Sequence, residues 1–270
     1  MTAAARLPPE LERAIFELAA HTDRTAIPKL LRVAQRVLIW LEPLLYRVLR
    51  FDGANPSVTQ LEAIKAKPAS FLASAVRHVN FDGNVSLDVV KSILESCPGI
   101  VNLGLGWELG NPTFSPVLGN MRIQRLSANL RELFRRDGES AVDLEHPMFN
   151  SVTHLELLDD LGTKTEVWMK RLSTLSTLTH LSFSPPDGDN LPLMQNILAA
   201  TPRIQVLLIS FFFGEEEDAR LVAARIKFVD ARLVVGMYGD YRADWERGAR
   251  GGDDQWIRAD GFVARKGAGK

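Results

Sequence analysis

A six-residue phrase, apolar at its first, fourth and sixth positions, occurs six times along this chain. It reads Val76-Arg77-His78-Val79-Asn80-Phe81, then Ile100-Val101-Asn102-Leu103-Gly104-Leu105, then Ile123-Gln124-Arg125-Leu126-Ser127-Ala128. It returns as Val152-Thr153-His154-Leu155-Glu156-Leu157, Leu178-Thr179-His180-Leu181-Ser182-Phe183 and Ile204-Gln205-Val206-Leu207-Leu208-Ile209. Successive starts lie 24, 23, 29, 26 and 26 residues apart. Side chains alternate along a strand, so the last two apolar positions of each phrase share one face. One such strand cannot bury that face alone, but stacked copies can. The spacing therefore predicts a solenoid with a parallel sheet along one side.

A period of about 20–29 residues is that of leucine-rich repeats, so the expected fold class is α/β, a leucine-rich-repeat solenoid with a parallel sheet on the concave side and helices behind it. Several linkers supply the helices. Ser86 is placed to cap a helix over Leu87–Leu94 that ends before Cys97-Pro98. Leu191–Ala200 followed by Thr201-Pro202 repeats that design, because proline stops a helix and releases an extended chain. Val167, Met169, Leu172, Leu175 and Leu178 serve the fourth linker less regularly, and residues 130–149, with Arg135-Arg136-Asp137-Gly138, read as a surface excursion. A helix over 216–228 and a seventh strand over 233–237 complete the series.

Three segments result. Residues 1–50 form a helical unit, with starts at Pro8-Pro9, at Pro28 and at Pro43, the last carrying Leu44, Leu45, Val48 and Leu49. Residues 51–240 form the solenoid. Residues 241–270 turn to Gly, Arg and Asp but keep Trp245, Trp256, Ile257, Phe262 and Val263. That segment reads as a loop and a helix over 253–266, folded as a cap over the solenoid's open end.

Within the first segment, Leu7-Pro8-Pro9-Glu10-Leu11 followed by Ile15-Phe16 resembles the opening of an F-box. Val33-Ala34-Gln35-Arg36, Trp40 and Pro43-Leu44-Leu45-Tyr46-Arg47 resemble its second half. An F-box-like three-helix unit ahead of irregular leucine-rich repeats is similar to the F-box/leucine-rich-repeat family of mushroom-forming fungi. The resemblance implies an adaptor of an SCF-type ubiquitin ligase. Leu7, Pro8, Leu11 and Ile15 would dock on a Skp1-like protein, and the repeats would hold the protein to be ubiquitinated. Two other readings stay open: helices that only cap the first repeat, and a stand-alone interaction scaffold that does not bind Skp1.

On the predicted concave face lie His78, Asn80, Asn102, Arg125, Ser127, His154, Glu156, His180 and Ser182, a mixture suited to a target protein. His154 and His180 fall at equivalent positions of neighbouring repeats and are read as stacked or solvated rather than as zinc ligands. Gly104 to Gly110 has a dinucleotide loop's glycines at the wrong spacing and reads as a turn. No P-loop, nucleophile elbow or zinc-protease motif occurs, so no catalytic residue, cofactor or metal is expected. The net charge of -1 offers no field for nucleic acid or anionic membrane. Cys97, the single cysteine, permits no intrachain disulfide and reads as a packing residue. The first ten residues lack the apolar core of a secretory signal, and a cytoplasmic or nuclear monomer is expected.

Overall fold

The computed structural model describes residues 7–52, 58–83, 85–136, 139–140, 142–159, 171–185, 191–212, 214–226 and 230–268. Eight parallel strands form one sheet in strict chain order: β1 (Val48–Asp52), β2 (His78–Asp82), β3 (Asn102–Leu105), β4 (Arg125–Ala128), β5 (His154–Leu157), β6 (His180–Phe183), β7 (Val206–Phe211) and β8 (Leu233–Met237). Six lie inside or beside the six phrases, and β8 is the expected seventh. A chain that adds each strand beside the last, with helices between, is compatible with an α/β solenoid.

Burial follows the phrase. Every one of its eighteen apolar positions is at most 2% exposed, from Val76, Val79 and Phe81 through Ile204, Leu207 and Ile209. Register keeps like with like: Val79, Leu103, Leu126, Leu155, Leu181 and Leu207 form one continuous row across the sheet. At each strand's entry one carbonyl accepts two amides of the next strand. Arg47 O takes Arg77 and His78 N–H, Arg77 O takes Val101 and Asn102 N–H, and the pattern continues to Thr179 O. The backbone polar groups of the turn into each strand are thereby satisfied inside the stack.

The first strand corrects the expected third helix. Val48 and Leu49 belong to β1, paired with His78 and Val79. Pro43 does not open a helix but sits inside one. The helical unit consists of α1 (Pro9–Thr22), the single turn α2 (Ile27–Leu30) and α3 (Gln35–Tyr46). Extended backbone at Ala34 splits the apolar run from Leu30 to Leu41, so both pieces reach one core of Ala20, Ile27, Val37 and Leu41. This unit abuts α5 (Ala69–Ala75), which follows α4 (Val58–Lys65), through an ion pair from Lys67 to Glu42 at 2.7 Å and an edge-on contact of Tyr46 with Phe71.

Behind the sheet, α6 (Leu87–Ser96) is capped by Ser86, whose hydroxyl accepts from Val89 N–H, and buries Val90, Ile93 and Leu94. Cys97 is fully buried, and burial pushes its thiol up to about 12, the state of a packing residue. The second linker contributes α7 (Ser115–Leu118), before β4, and the third contributes α8 (Leu130–Leu133), after it. Arg135–Arg136 pairs antiparallel with Glu139–Ser140, but residues 130–149 are not the surface excursion expected: Leu130, Leu133, Phe134, Val142, Leu144, Met148 and Phe149 are buried in the main core. Leu172, Leu175 and Leu178 are buried as expected, whereas Val167 and Met169 lie outside the described residues. Helices α9 (Leu191–Ala200) and α10 (Glu216–Arg225) follow the predicted linkers, with residues 227–228 outside the described set.

The C-terminal segment holds the helix expected over 253–266, but a second helix stands where a loop was expected, and the two are not confined to the solenoid's open end. In chain order they are α11 (Tyr241–Ala249) and α12 (Gln255–Ala268). Their contacts run along the front of the sheet. Glu246 meets Arg50 of β1, Arg242 meets Asp82 of β2, Asp254 meets Arg125 of β4, and Asp260 meets His180 of β6.

Candidate interaction surfaces

The front face is two polar rows made by strand register. One row runs His78, Asn102, Arg125, His154, His180, and the other Asn80, Gly104, Ser127, Glu156, Ser182. All nine expected front-face residues therefore do come together. They do not form an open surface: Asn80, Asn102, Ser127, Glu156, His180 and Ser182 are buried, and His78, Arg125 and His154 are half-buried. The cause is α11 and α12, whose apolar side chains seek the cover that the sheet provides.

The seal is centred on aromatic groups. The His154 and His180 rings stack with centroids 4.1 Å apart and 10° between planes, and the Trp256 indole stands edge-on to both. Trp256 also packs with Val206, Leu208, Val234 and Ala259. Thr153 and Thr179 hydroxyls hold the two histidine Nδ1 atoms at 2.9 and 2.8 Å. Burial, then His180 and Arg125, hold the His154 imidazole down to about 3, so it is neutral at physiological pH. Among the described residues no group of three potential metal ligands exists.

Beside this stack lies a buried polar cluster. Tyr238 donates its hydroxyl proton to Glu156 Oε1 at 2.7 Å, and the Tyr241 hydroxyl meets Ser127 Oγ at 3.0 Å. Burial raises the Glu156 carboxyl above the usual range, against the lowering effect of hydrogen bonds from Tyr238, Ser127, Gln255 and Tyr241. Gly104 is the gap in the second row. A Cβ there would lie 2.2 Å from Asn80 Nδ2, while Trp245 Nε1 of α11 would stay at an ordinary 3.5 Å, so glycine is what leaves room for the buried Asn80 amide. Between the helices, Asp244 accepts from Gln255 N–H and pairs with Arg247 and Arg258, while Asp254 accepts from Ile257 N–H as it pairs with Arg125. The helix pair is thus a pre-assembled unit as well as a cover.

The N-terminal helices present a different surface. Leu11, Ile15 and Leu18 are each more than half exposed and recur at helical spacing along α1, and Leu7 and Pro8, just ahead of its first turn, are exposed as well. Val33 and Ile39 add apolar exposure in the same unit. Arg36 clamps α3 to α1 with two hydrogen bonds to Glu12, at 2.8 and 2.6 Å. The four residues named from the F-box resemblance are therefore accessible, Leu11 and Ile15 on α1 and Leu7 and Pro8 at its entry.

Sequence reasoning missed the residues that complete the front face: Tyr238, Tyr241, Asp244, Asp254 and Gln255. No helix among the described residues is long and apolar enough to cross a membrane. No protein-family model matches the chain, and no curated protein matches its sequence.

Proposed function

We propose that the chain is a non-catalytic substrate-recognition adaptor of an SCF-type ubiquitin ligase. The F-box-like end docks on a Skp1-like protein, and the leucine-rich-repeat solenoid presents the target. The exposed stripe of Leu7, Leu11, Ile15 and Leu18 carries the reading. An apolar helix face on a unit that already has its own core serves association rather than folding. Catalysis would be by proximity: one end holds the ligase, the other the target, and effective concentration rises. A target read by the polar rows themselves must displace α11 and α12, because those rows are buried beneath them.

The alternative is a stand-alone scaffold in which the helical unit only caps β1. The Lys67–Glu42 pair and the Tyr46–Phe71 contact favour it, since they bind that unit to the solenoid. Co-expression with a fungal Skp1 followed by size-exclusion chromatography separates the two. The adaptor co-elutes at one-to-one stoichiometry, and a Leu7→Asp, Leu11→Asp variant stays folded and loses the complex. Equal affinity in that variant sinks the docking face, and a wild-type monomer that ignores Skp1 leaves the scaffold.

A further inference from the structure

A cleft of about 420 Å³ opens where the helical unit, the entry side of the first strands and the end of α11 meet. Arg24, Arg47, Arg125 and Arg250 line it with His21 and His78, and no aspartate or glutamate does. The four guanidinium groups arrive from four separate places: the turn after α1, the residue that ends α3, β4, and the residue that ends α11. Arg125 is paired with Asp254, and Arg250 with Glu246, which is shared with Arg50. Neither Arg24 nor Arg47 has an ion-pair partner among the described residues.

Convergence of this kind raises the energy of the empty cleft. Burial and then repulsion from Arg250 lower the Arg24 guanidinium from its ordinary value, against a smaller raising effect of Glu246. His78 feels the same field: burial first, then Arg47, Arg125, Arg77 and Arg250, hold its imidazole down to about 4. Its Nδ1 is buried without a hydrogen-bond partner. A bound anion would relieve the repulsion and replace water on the exposed Arg24 and Arg47 donors.

We propose that this cleft is the binding site of a small polyphosphate, an anion carrying two or more phosphate groups. Guanidinium forks match phosphate oxygens, and four forks around one space call for several charges on one compact ligand. The ligand would also join the helical unit, the sheet and α11, so binding should stabilise the whole chain.

Inorganic tripolyphosphate is the probe, titrated calorimetrically into the full chain at low salt and followed by thermal unfolding. The expected result is saturable one-to-one binding, weakened by salt, with a rise in Tm. An Arg24→Ala, Arg47→Ala variant should bind about tenfold or more weakly. Its ligand-free Tm should be unchanged or higher, because it loses repulsion and no ion pair. A Lys91→Ala, Arg220→Ala variant makes the same charge change on α6 and α10 and should bind as wild type does. Absence of saturable wild-type binding overturns the proposal, as does equal loss in the distant variant. Equal affinity for citrate overturns the phosphate assignment. Should the double variant unfold, Arg24→Gln alone must still weaken binding by about threefold, and unchanged affinity there refutes the site.

Discussion

Replacement of Trp256 by alanine tests whether the helices over the sheet are a detachable cover. Trp256 is 7% exposed and fills the space between the stacked His154–His180 pair and the small cluster of Val206, Leu208, Val234 and Ala259. That cluster is distinct from the main core, which runs behind the sheet from Leu49 to Leu233. Truncating a buried tryptophan costs about 3–5 kcal/mol. The loss falls on the opening of α12 because the main core makes no use of the indole. Native-state hydrogen exchange reads this directly. At about 1.4 kcal/mol per factor of ten, amides of α12 should exchange on the order of a hundred to several thousand times faster. Amides of β2 to β5 should keep their wild-type rates. Equal acceleration in those strands would show that cover and sheet unfold as one unit, and an unchanged α12 would show that Trp256 does not hold it. Either result refutes the detachable-cover reasoning.

Three further outcomes are expected. His78 and His154 are held down to about 4 and about 3, below the ordinary histidine value near 6.5, so from pH 6.5 downward the unfolded chain binds protons that the folded chain refuses. Stability is therefore fully present above pH 6.5 and falls as pH drops towards 4, by up to about 1.4 kcal/mol per pH unit for each histidine. Denaturant unfolding at several pH values should show a shallower fall in His154→Gln. Glu156 has the opposite sign: its folded carboxyl is raised, so its contribution is present at low pH and is lost as pH rises from about 4.5 through its folded value. Glu156→Gln should remove that loss and leave a stability profile that climbs more steeply towards neutrality; an unchanged profile refutes the buried-carboxyl account. Gly104→Ala places a Cβ against the buried Asn80 amide and should destabilise the chain by about 1–3 kcal/mol in denaturant unfolding; unchanged stability would show that Asn80 can move aside at no cost.

The parallel stack was legible because one spacing repeats: apolar side chains three and then two residues apart cannot be satisfied except by copies beside them. The first strand was legible too and was misread. Tyr46, Leu49 and Phe51 carry the same spacing, and Phe51 stacks on Phe81 at 5.1 Å. The preceding helical pattern through Leu41 and Leu45 extends without a break into Val48 and Leu49, which hid the change of period. The cover was not legible. Asp240 as a cap, with acceptor bonds from Arg242 and Ala243 N–H, was a local signal for α11. Nothing local distinguishes a helix over the end of a stack from one along its front. That choice is made by partners far apart in the chain, such as Arg50 with Glu246 and Arg125 with Asp254.

These long-range pairs bear on how a target could be held. Most are half-exposed ion pairs, each contributing at most about 1 kcal/mol. Trp256 and the cluster around it are the larger share of what keeps α12 in place. A surface sealed by one aromatic anchor and a rim of weak charge pairs opens at less cost than a surface sealed by continuous apolar packing. It also hides the side chains most able to confer specificity: a stacked histidine pair, a buried carboxyl and two serines in register. The N-terminal stripe has the reverse character, apolar and uncovered. The two ends of the chain therefore differ in what binding demands. Docking at α1 meets side chains that are already exposed, whereas contact with the sheet's polar rows requires the opening energy that wild-type α12 exchange measures, of which Trp256→Ala reports the indole's share. A target that reaches those rows must supply an apolar group of comparable size where the indole now sits.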